Sequence, residues 1–158
     1  MSHLCLPDLL GGLTLIAGPK GLRAIRFECA DAGADSDPIL RQAEIQLREY
    51  AAGERAVFAV PLDPVGTAFQ LEVWRALAAI PYAETRSYRD IALAVNRPKG
   101  FQAIGQANTR NPLPIVIPCH RVINADGSLG GYGGGIERKK ALLAIEEQYA
   151  HRFRQTAA

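Results

Sequence analysis

The chain has 158 residues, of which 48% are apolar and 22% charged, with a net charge of +2. That is an ordinary globular composition, enough for one sizeable core or two small packed subdomains. No apolar run approaches the roughly 18 to 20 residues a membrane helix needs, and no basic segment followed by an apolar stretch and cleavage site opens the chain. A cytoplasmic, non-exported protein with no membrane partner is therefore expected. In the first half, Leu13–Ala17 and Leu22–Glu28 read as two short strands turning at Gly18-Pro19-Lys20-Gly21. A polar loop over Ala30–Pro38 follows. Leu40, Ala43, Leu47 and Tyr50 then recur at helical spacing and predict an amphipathic helix over 38–52 that Gly53 ends. Val57–Leu62 reads as a third strand. Pro61–Gly66, with two prolines and a glycine, is the boundary between subdomains 1–65 and 66–158.

The second half has a different pattern. Thr67 and Gln70 have capping-box spacing, and Phe69, Val73, Leu77 and Ile80 mark one apolar face, which predicts a helix over 67–79. Ser87 and Asp90 repeat the cap and start a short helix through Val95. After the turn Asn96–Lys99, helical spacing resumes over Gly100–Thr109. Two short helices joined by a tight turn suggest a helix-turn-helix. From Asn111 to Cys119 three prolines surround Ile115-Val116-Ile117, and this segment is expected to be an extended, stiff, buried strip that ends at the cysteine. Beyond a short extended piece lies the loop Gly127–Gly135, dense in glycine around Tyr132. A closing helix is predicted over Ile136–Tyr149, with Ile136, Leu142, Leu143 and Ile145 on its apolar face, followed by a frayed tail. Strands and a helix first, then helices, make the fold class α+β.

Charge is divided unevenly. Residues 1–65 carry 6 Lys and Arg against 9 Asp and Glu (net −3), and residues 66–158 carry 12 against 7 (net +5). The basic half would suit a polyanion, but an excess of this size is common. The three cysteines, Cys5, Cys29 and Cys119, show no Cys-x-x-Cys spacing. They are expected to be free thiols, with neither a disulfide framework nor a cysteine zinc site.

Cys119 and His120 are the one place where a nucleophile and a base are adjacent. The thiolate is the reactive form, and a free cysteine with a pKa of about 8.5 is mostly protonated at neutral pH, so a base must take its proton. A histidine base works best when a carboxylate fixes its tautomer, and Glu146 on the closing helix is the natural candidate. Pattern alone also allows Cys119 as a buried small apolar group, His120 as a core histidine, Tyr88 as a packing residue and Glu146 as solvated at its helix edge.

The segment Asn111-Pro112-Leu113-Pro114-Ile115-Val116-Ile117-Pro118-Cys119-His120-Arg121-Val122 resembles the acceptor motif of the O6-alkylguanine-DNA alkyltransferases, also called methylated-DNA–protein-cysteine methyltransferases. The resemblance runs from about Thr67 to Glu146 and is looser in the first half. It implies a ribonuclease-H-like N-terminal subdomain of antiparallel sheet and helix, and a winged-helix-like C-terminal domain that holds the helix-turn-helix. It further implies stoichiometric, irreversible transfer of an alkyl group from O6-alkylguanine, and O4-alkylthymine, to Cys119, with duplex DNA as partner and no cofactor. Zinc occurs in the N-terminal half of some relatives, but Cys5, Cys29 and His3 form no recognisable ligand set, so no metal is expected. The protein would act as a monomer, with clustering on DNA left open.

Carried over residue by residue, His120 would deprotonate Cys119 through an ordered water, Glu146 would hold His120, and Asn111 would brace the turn carrying the cysteine. Tyr88 would bind the base and help protonate the departing guanine. Tyr132, Gly133 and the backbone carbonyls of Cys119 and Val122 would hold the flipped base. Ser87, Phe101, Gln102, Ala103 and Arg121 would meet the DNA from the minor-groove side. One position departs from the family's pattern: Gln102 stands where an arginine usually enters the base stack. Glutamine can hydrogen-bond an orphaned base but lacks the charge and planar guanidinium. The alternatives are an alkyltransferase-like protein that recognises damage without transferring anything, against which the presence of Cys119 speaks, a helix-turn-helix regulator, and a cysteine hydrolase.

Overall fold

The computed structural model describes residues 1–29 and 37–154, and the chain divides into two compact units, Met1–Val65 and Gly66–Ala158. The expected 30–38 loop falls mostly outside the described residues.

In the first unit, strands β1 (Ser2–Leu6), β2 (Leu13–Gly18) and β3 (Gly21–Arg26) form an antiparallel sheet in that order. The hairpin of β2 and β3 agrees with the sequence pattern, while β1 was not anticipated. Its pairs run from Ser2 opposite Ala17 to Leu6 opposite Leu13. Helix α1 (Pro38–Ala51) starts with proline at its first position and with the Asp37 carboxylate accepting the Ile39 N–H at 2.8 Å. It buries Leu40, Ala43, Gln46, Leu47 and Tyr50.

The third strand expected over Val57–Leu62 is absent. Only Leu62 pairs, in a single parallel bridge to Leu22. Upstream, backbone groups bond to side chains instead: Ala59 N–H donates to Gln46 Oε1 at 2.8 Å, and its carbonyl accepts from Gln42 Nε2 at 3.1 Å. Pro61 has no N–H to give a ladder. Gly21 lets this segment approach, because a Cβ there would lie 2.7 Å from the Pro61 carbonyl oxygen.

Cys5 and Cys29 form a disulfide, which corrects the expectation of three free thiols, and only Cys119 is free. Cys5 is opposite Thr14, and the Thr14 hydroxyl donates to the Glu28 carbonyl, folding the chain beyond β3 back toward β1. The two Cα atoms lie 5.5 Å apart, a normal disulfide spacing.

In the second unit, α2 (Ala68–Ala78) and α3 (Tyr88–Ala94) each begin with a complete capping box, Thr67 with Gln70 and Ser87 with Asp90. Helix α4 (Phe101–Thr109) packs on both. The buried Trp74 indole donates to the Ala107 carbonyl at 2.9 Å and ties α2 to α4. Short strands β4 (Arg86–Ser87) and β5 (Val122–Ile123) pair in parallel. Together with the three-stranded sheet, this makes a mixed α+β fold with a helical C-terminal unit.

The segment from Asn111 to Cys119 is buried, but it is not the extended strip expected. It is a chain of tight turns: the Ile117 N–H donates to the Leu113 carbonyl at 2.8 Å and the Cys119 N–H to the Ile117 carbonyl at 2.7 Å. Proline excludes a regular helix but not turns, and here the Asn111 side chain supplies the missing partners. Ile115 sits at φ 75°. That is uncommon for a β-branched residue, and such strain costs on the order of 1–3 kcal/mol.

Helix α5 (Ile136–Tyr149) has the expected span. Ile136 is 39% exposed rather than part of its apolar face, and Lys139, Leu142 and Glu146 are the buried side chains. The expected fraying after Tyr149 is corrected as far as Arg154, and the remainder of that tail lies outside the described residues. Residues Ala150–Arg152 form a 3-10 turn, and the Phe153 ring packs edge-on against Tyr82. No helix among the described residues is long and apolar enough to cross a membrane.

Candidate active site

The turns of residues 111–118 deliver Cys119 into the first position of a 3-10 turn, Cys119–Arg121, whose three side chains are all buried. Asn111 braces this delivery at both ends. Its Nδ2 donates to the Ile117 carbonyl at 2.7 Å, and its Oδ1 accepts the Leu113 N–H at 3.0 Å. The Asn111 amide and the Tyr132 hydroxyl lie near the thiol. Burial pushes the thiol pKa up, and these groups with the nearby Lys139 charge only partly offset it. At rest the group is a protonated thiol.

His120 is fully buried. Its Nε2 is 2.6 Å from Glu146 Oε2, while the buried Nδ1 has no protein hydrogen-bond partner. Burial lowers the imidazole pKa, with Glu146 pulling it back up by less. The ring is thus neutral near pH 7: Nε2–H donates to the carboxylate and Nδ1 keeps its lone pair for a proton.

Glu146 is 1% exposed. Burial alone would raise its pKa, but hydrogen bonds from His120 and Arg121 outweigh it and hold the carboxyl at about 2. Oε1 accepts from Arg121 Nε at 2.8 Å and from the Ala83 N–H at 3.1 Å, and Oε2 accepts from Arg121 Nη2 at 2.9 Å. The carboxylate stays ionised and fixed, so it can stabilise an imidazolium that forms during reaction.

Arg121 is the residue whose expected place is overturned. The family pattern puts it at the DNA, but it is buried, its fork is taken by Glu146, and its remaining amino group donates to the Ile80 carbonyl at 2.7 Å. A guanidinium this close to a buried carboxylate satisfies that charge better than it could serve a surface phosphate.

Sequence reasoning missed Lys139. It is fully buried on the same face of α5 as Glu146, and its Nζ donates to the carbonyls of Val122 at 2.7 Å, Leu129 at 2.5 Å and Gly131 at 3.4 Å. Burial lowers its pKa, and a Cys119 thiolate would raise it. A lysine set three and seven residues from Leu142 and Glu146 in an apolar stripe was the available signal. It stitches the glycine loop to the turn after the cysteine. The Val122 carbonyl expected at the guanine therefore already accepts from Lys139, and the Cys119 carbonyl accepts the Val122 N–H. Each carbonyl keeps a second lone pair.

Tyr132 and Gly133 lie in this loop, Tyr132 turned toward the thiol and Gly133 exposed. At the loop's end Gly135 takes φ 93°, a left-handed turn that side chains disfavour, and this starts α5. Tyr88, the first residue of α3, is half-buried, and its phenol is pushed up by burial and by the nearby Cys119. Tyr88 also lines a cavity of about 470 Å³ with Arg89, Phe101, Gln102, Gly105, Asn124 and Ala125. Phe101, Gln102 and Ala103 form the exposed first turn of α4, while the Ser87 hydroxyl is engaged in capping α3. Among the described residues, no group of three or more His, Cys, Asp or Glu could hold a metal ion.

Two family models match this chain: the 6-O-methylguanine DNA methyltransferase DNA binding domain over residues 68–148, and the ribonuclease-like domain of the same proteins over residues 8–64. The chain belongs to the 6-O-methylguanine DNA methyltransferase family. The methylated-DNA–protein-cysteine methyltransferase of Methanosarcina barkeri is 41% identical over 145 residues, covering 87% of this chain and 92% of the relative. The constitutive enzyme of that name from Bacillus subtilis is 52% identical over 115 residues, or 73% and 70% of the two chains. The crystal structure of Mycobacterium tuberculosis OGT in complex with DNA is similar with a TM-score of 0.84 at 43% identity, covering 93% of each chain. Within this methyltransferase family fold, the turn carrying Cys119 and His120 and the helix carrying Glu146 both lie in the region matched by the DNA binding domain.

Proposed function

We propose that this chain repairs DNA by moving one alkyl group from O6 of a flipped-out guanine, or O4 of thymine, in duplex DNA onto Cys119. The supporting observation is the buried line from Cys119 through its neighbour His120 to Glu146, with the carboxylate 2.6 Å from the imidazole. Unit 66–158 carries both the chemistry and the DNA contacts, the chain acts as a monomer in the cytoplasm, and no cofactor or metal takes part.

In this reading the thiol proton passes through a bridging water to His120 Nδ1, and the imidazolium is stabilised by Glu146. The sulfur attacks the alkyl carbon in line, an S–C bond forms and the C–O6 bond breaks with its electron pair going to the guanine. Tyr88 donates a proton to the departing base, help worth typically ~10²- to 10⁴-fold, and its phenolate then regains a proton through water as the His120 imidazolium gives one up, so the net transfer is of the thiol proton to the guanine. The product is a thioether, which is not a leaving group here, so each molecule acts once. Extruding the base costs a few kcal/mol of stacking, which contacts from Ser87, Phe101, Ala103 and Gln102 with the Tyr132–Gly133 wall offset. Gln102 hydrogen-bonds the orphaned partner base.

The test is incubation with a duplex containing O6-methylguanine, followed by peptide mass spectrometry. One methyl per chain on Cys119, lost in Cys119→Ala, is expected. Multiple turnover, or repair by the alanine variant, overturns the reading. Duplex binding without transfer would instead favour damage recognition alone.

A further inference from the structure

Beyond α5 the chain reaches Phe153, which packs on Tyr82, the ring that lies under the Arg121 guanidinium. The 3-10 turn Ala150–Arg152 is closed by the Phe153 N–H on the Ala150 carbonyl at 3.1 Å. This brings the Phe153 ring edge-on to Tyr82, with centroids 4.9 Å apart and planes at 65°. The Arg121 guanidinium lies over the other partner of that pair, 5.6 Å from the Tyr82 centroid. Arg121 in turn holds both oxygens of Glu146. Ala83, next to Tyr82, is at φ 64° and directs its N–H to Glu146 Oε1. The 80–83 loop thus meets the Arg121–Glu146 pair from its backbone and from its ring, and Phe153 covers that ring.

We propose that Phe153 is a positioning residue for alkyl transfer: with Tyr82 it forms an aromatic cover that keeps water from the Arg121–Glu146 pair and so keeps Glu146 on His120. The inference rests on the reading of Cys119 as acceptor and His120 as its base. Attraction between ion-pair partners weakens steeply as water enters and the local dielectric rises. Glu146 shares its oxygens between Arg121 and His120, so loosening one contact loosens the other. Phe153 directly follows the 3-10 turn that ends α5, and anchoring it to the 80–83 loop fixes the end of the helix from which Glu146 projects. Burial, together with the Glu146 charge, pushes the Tyr82 phenol up to about 12.

The test is single-turnover methyl transfer from an O6-methylguanine duplex, measured against DNA concentration and pH for the whole chain and for Phe153→Ala and Phe153→Leu. Phe153→Ala is expected to accept one methyl per chain, with a maximal rate constant about tenfold lower, part of the ~10²–10⁴ a positioned base supplies. The half-saturating duplex concentration stays unchanged. The acid limb of its pH profile moves up as His120 becomes hydrated, and Phe153→Leu, which keeps an apolar cover, restores the rate. Should Phe153→Ala not fold, Phe153→Gln carries the same expectation. A wild-type rate constant and pH profile with only a lower melting temperature overturns the proposal, as does a changed half-saturating concentration with an intact rate constant. A parent chain that leaves Cys119 unmethylated overturns the functional reading first and this inference with it.

Discussion

Arg121 grips Glu146 with two nitrogens, Nε at 2.8 Å from one oxygen and Nη2 at 2.9 Å from the other. The pair is buried, so its members depend on each other: a carboxylate out of water needs its donors, and a guanidinium out of water needs its acceptors. His120 takes its orientation from the same carboxylate, so Arg121 reaches the imidazole beside Cys119 only through Glu146.

Arg121→Ala is expected to destabilise the protein by about 3–5 kcal/mol, the usual consequence of leaving a buried charge unpaired. Thermal or denaturant unfolding checks this. The salt dependence of duplex binding should stay as in the parent, because no phosphate contact is removed. A flatter salt slope would place the guanidinium at the DNA after all.

The pH dependence follows from two depressed pKa values. His120 is lowered from 6.5 by burial, so its neutral, proton-accepting form persists to below that pH and alkyl transfer should fall only on the acid side of it. Both groups also link to stability with the same sign. The folded state binds fewer protons than the unfolded state below the ordinary His pKa of 6.5, and again between 4.5 and about 2 for Glu146. Stability is therefore complete above 6.5 and is lost as pH falls through these windows. Unfolding measured from pH 8 to 3 should show this loss, reduced in Glu146→Gln. That variant should also transfer methyl at least tenfold more slowly, a modest share of the ~10²–10⁴ attributed to a general base.

Lys139→Met removes the cation that gathers three carbonyls. The glycine loop should exchange its amides faster and be cut sooner by protease over 127–135, and the Cys119 thiol should titrate higher without the nearby charge. Hydrogen exchange and the pH dependence of thiol alkylation report the two effects. An unaltered loop with an unaltered thiol would show that the lysine only fills space.

Gln102→Arg places a charge on the exposed first turn of α4, beside the cavity lined by Tyr88 and Phe101. Tighter duplex binding or faster repair is expected, with a salt slope steeper by about 1 if the new group meets a phosphate. No change in affinity, rate or slope would remove position 102 from the interface.

Much of this molecule was determined by sequence alone, through interactions that are local or periodic. The two capping boxes, the apolar faces of α1 and α2, and the β2–β3 hairpin are set by residues within a few positions of one another. The adjacency of Cys119 and His120 is covalent, so no folding was needed to see it. Tertiary structure decided what depends on partners far along the chain. Val57–Leu62 has strand-like residues, but its backbone bonds went to Gln42 and Gln46, and a strand exists only if another strand receives it. Cys5 and Cys29 are 24 residues apart and meet only because the sheet folds the chain back on itself. Arg121 and Lys139 look like surface cations in one dimension. Whether such a group faces water or a buried carboxylate is settled by what packs against it, here Glu146 and Ile80 for the one and three loop carbonyls for the other.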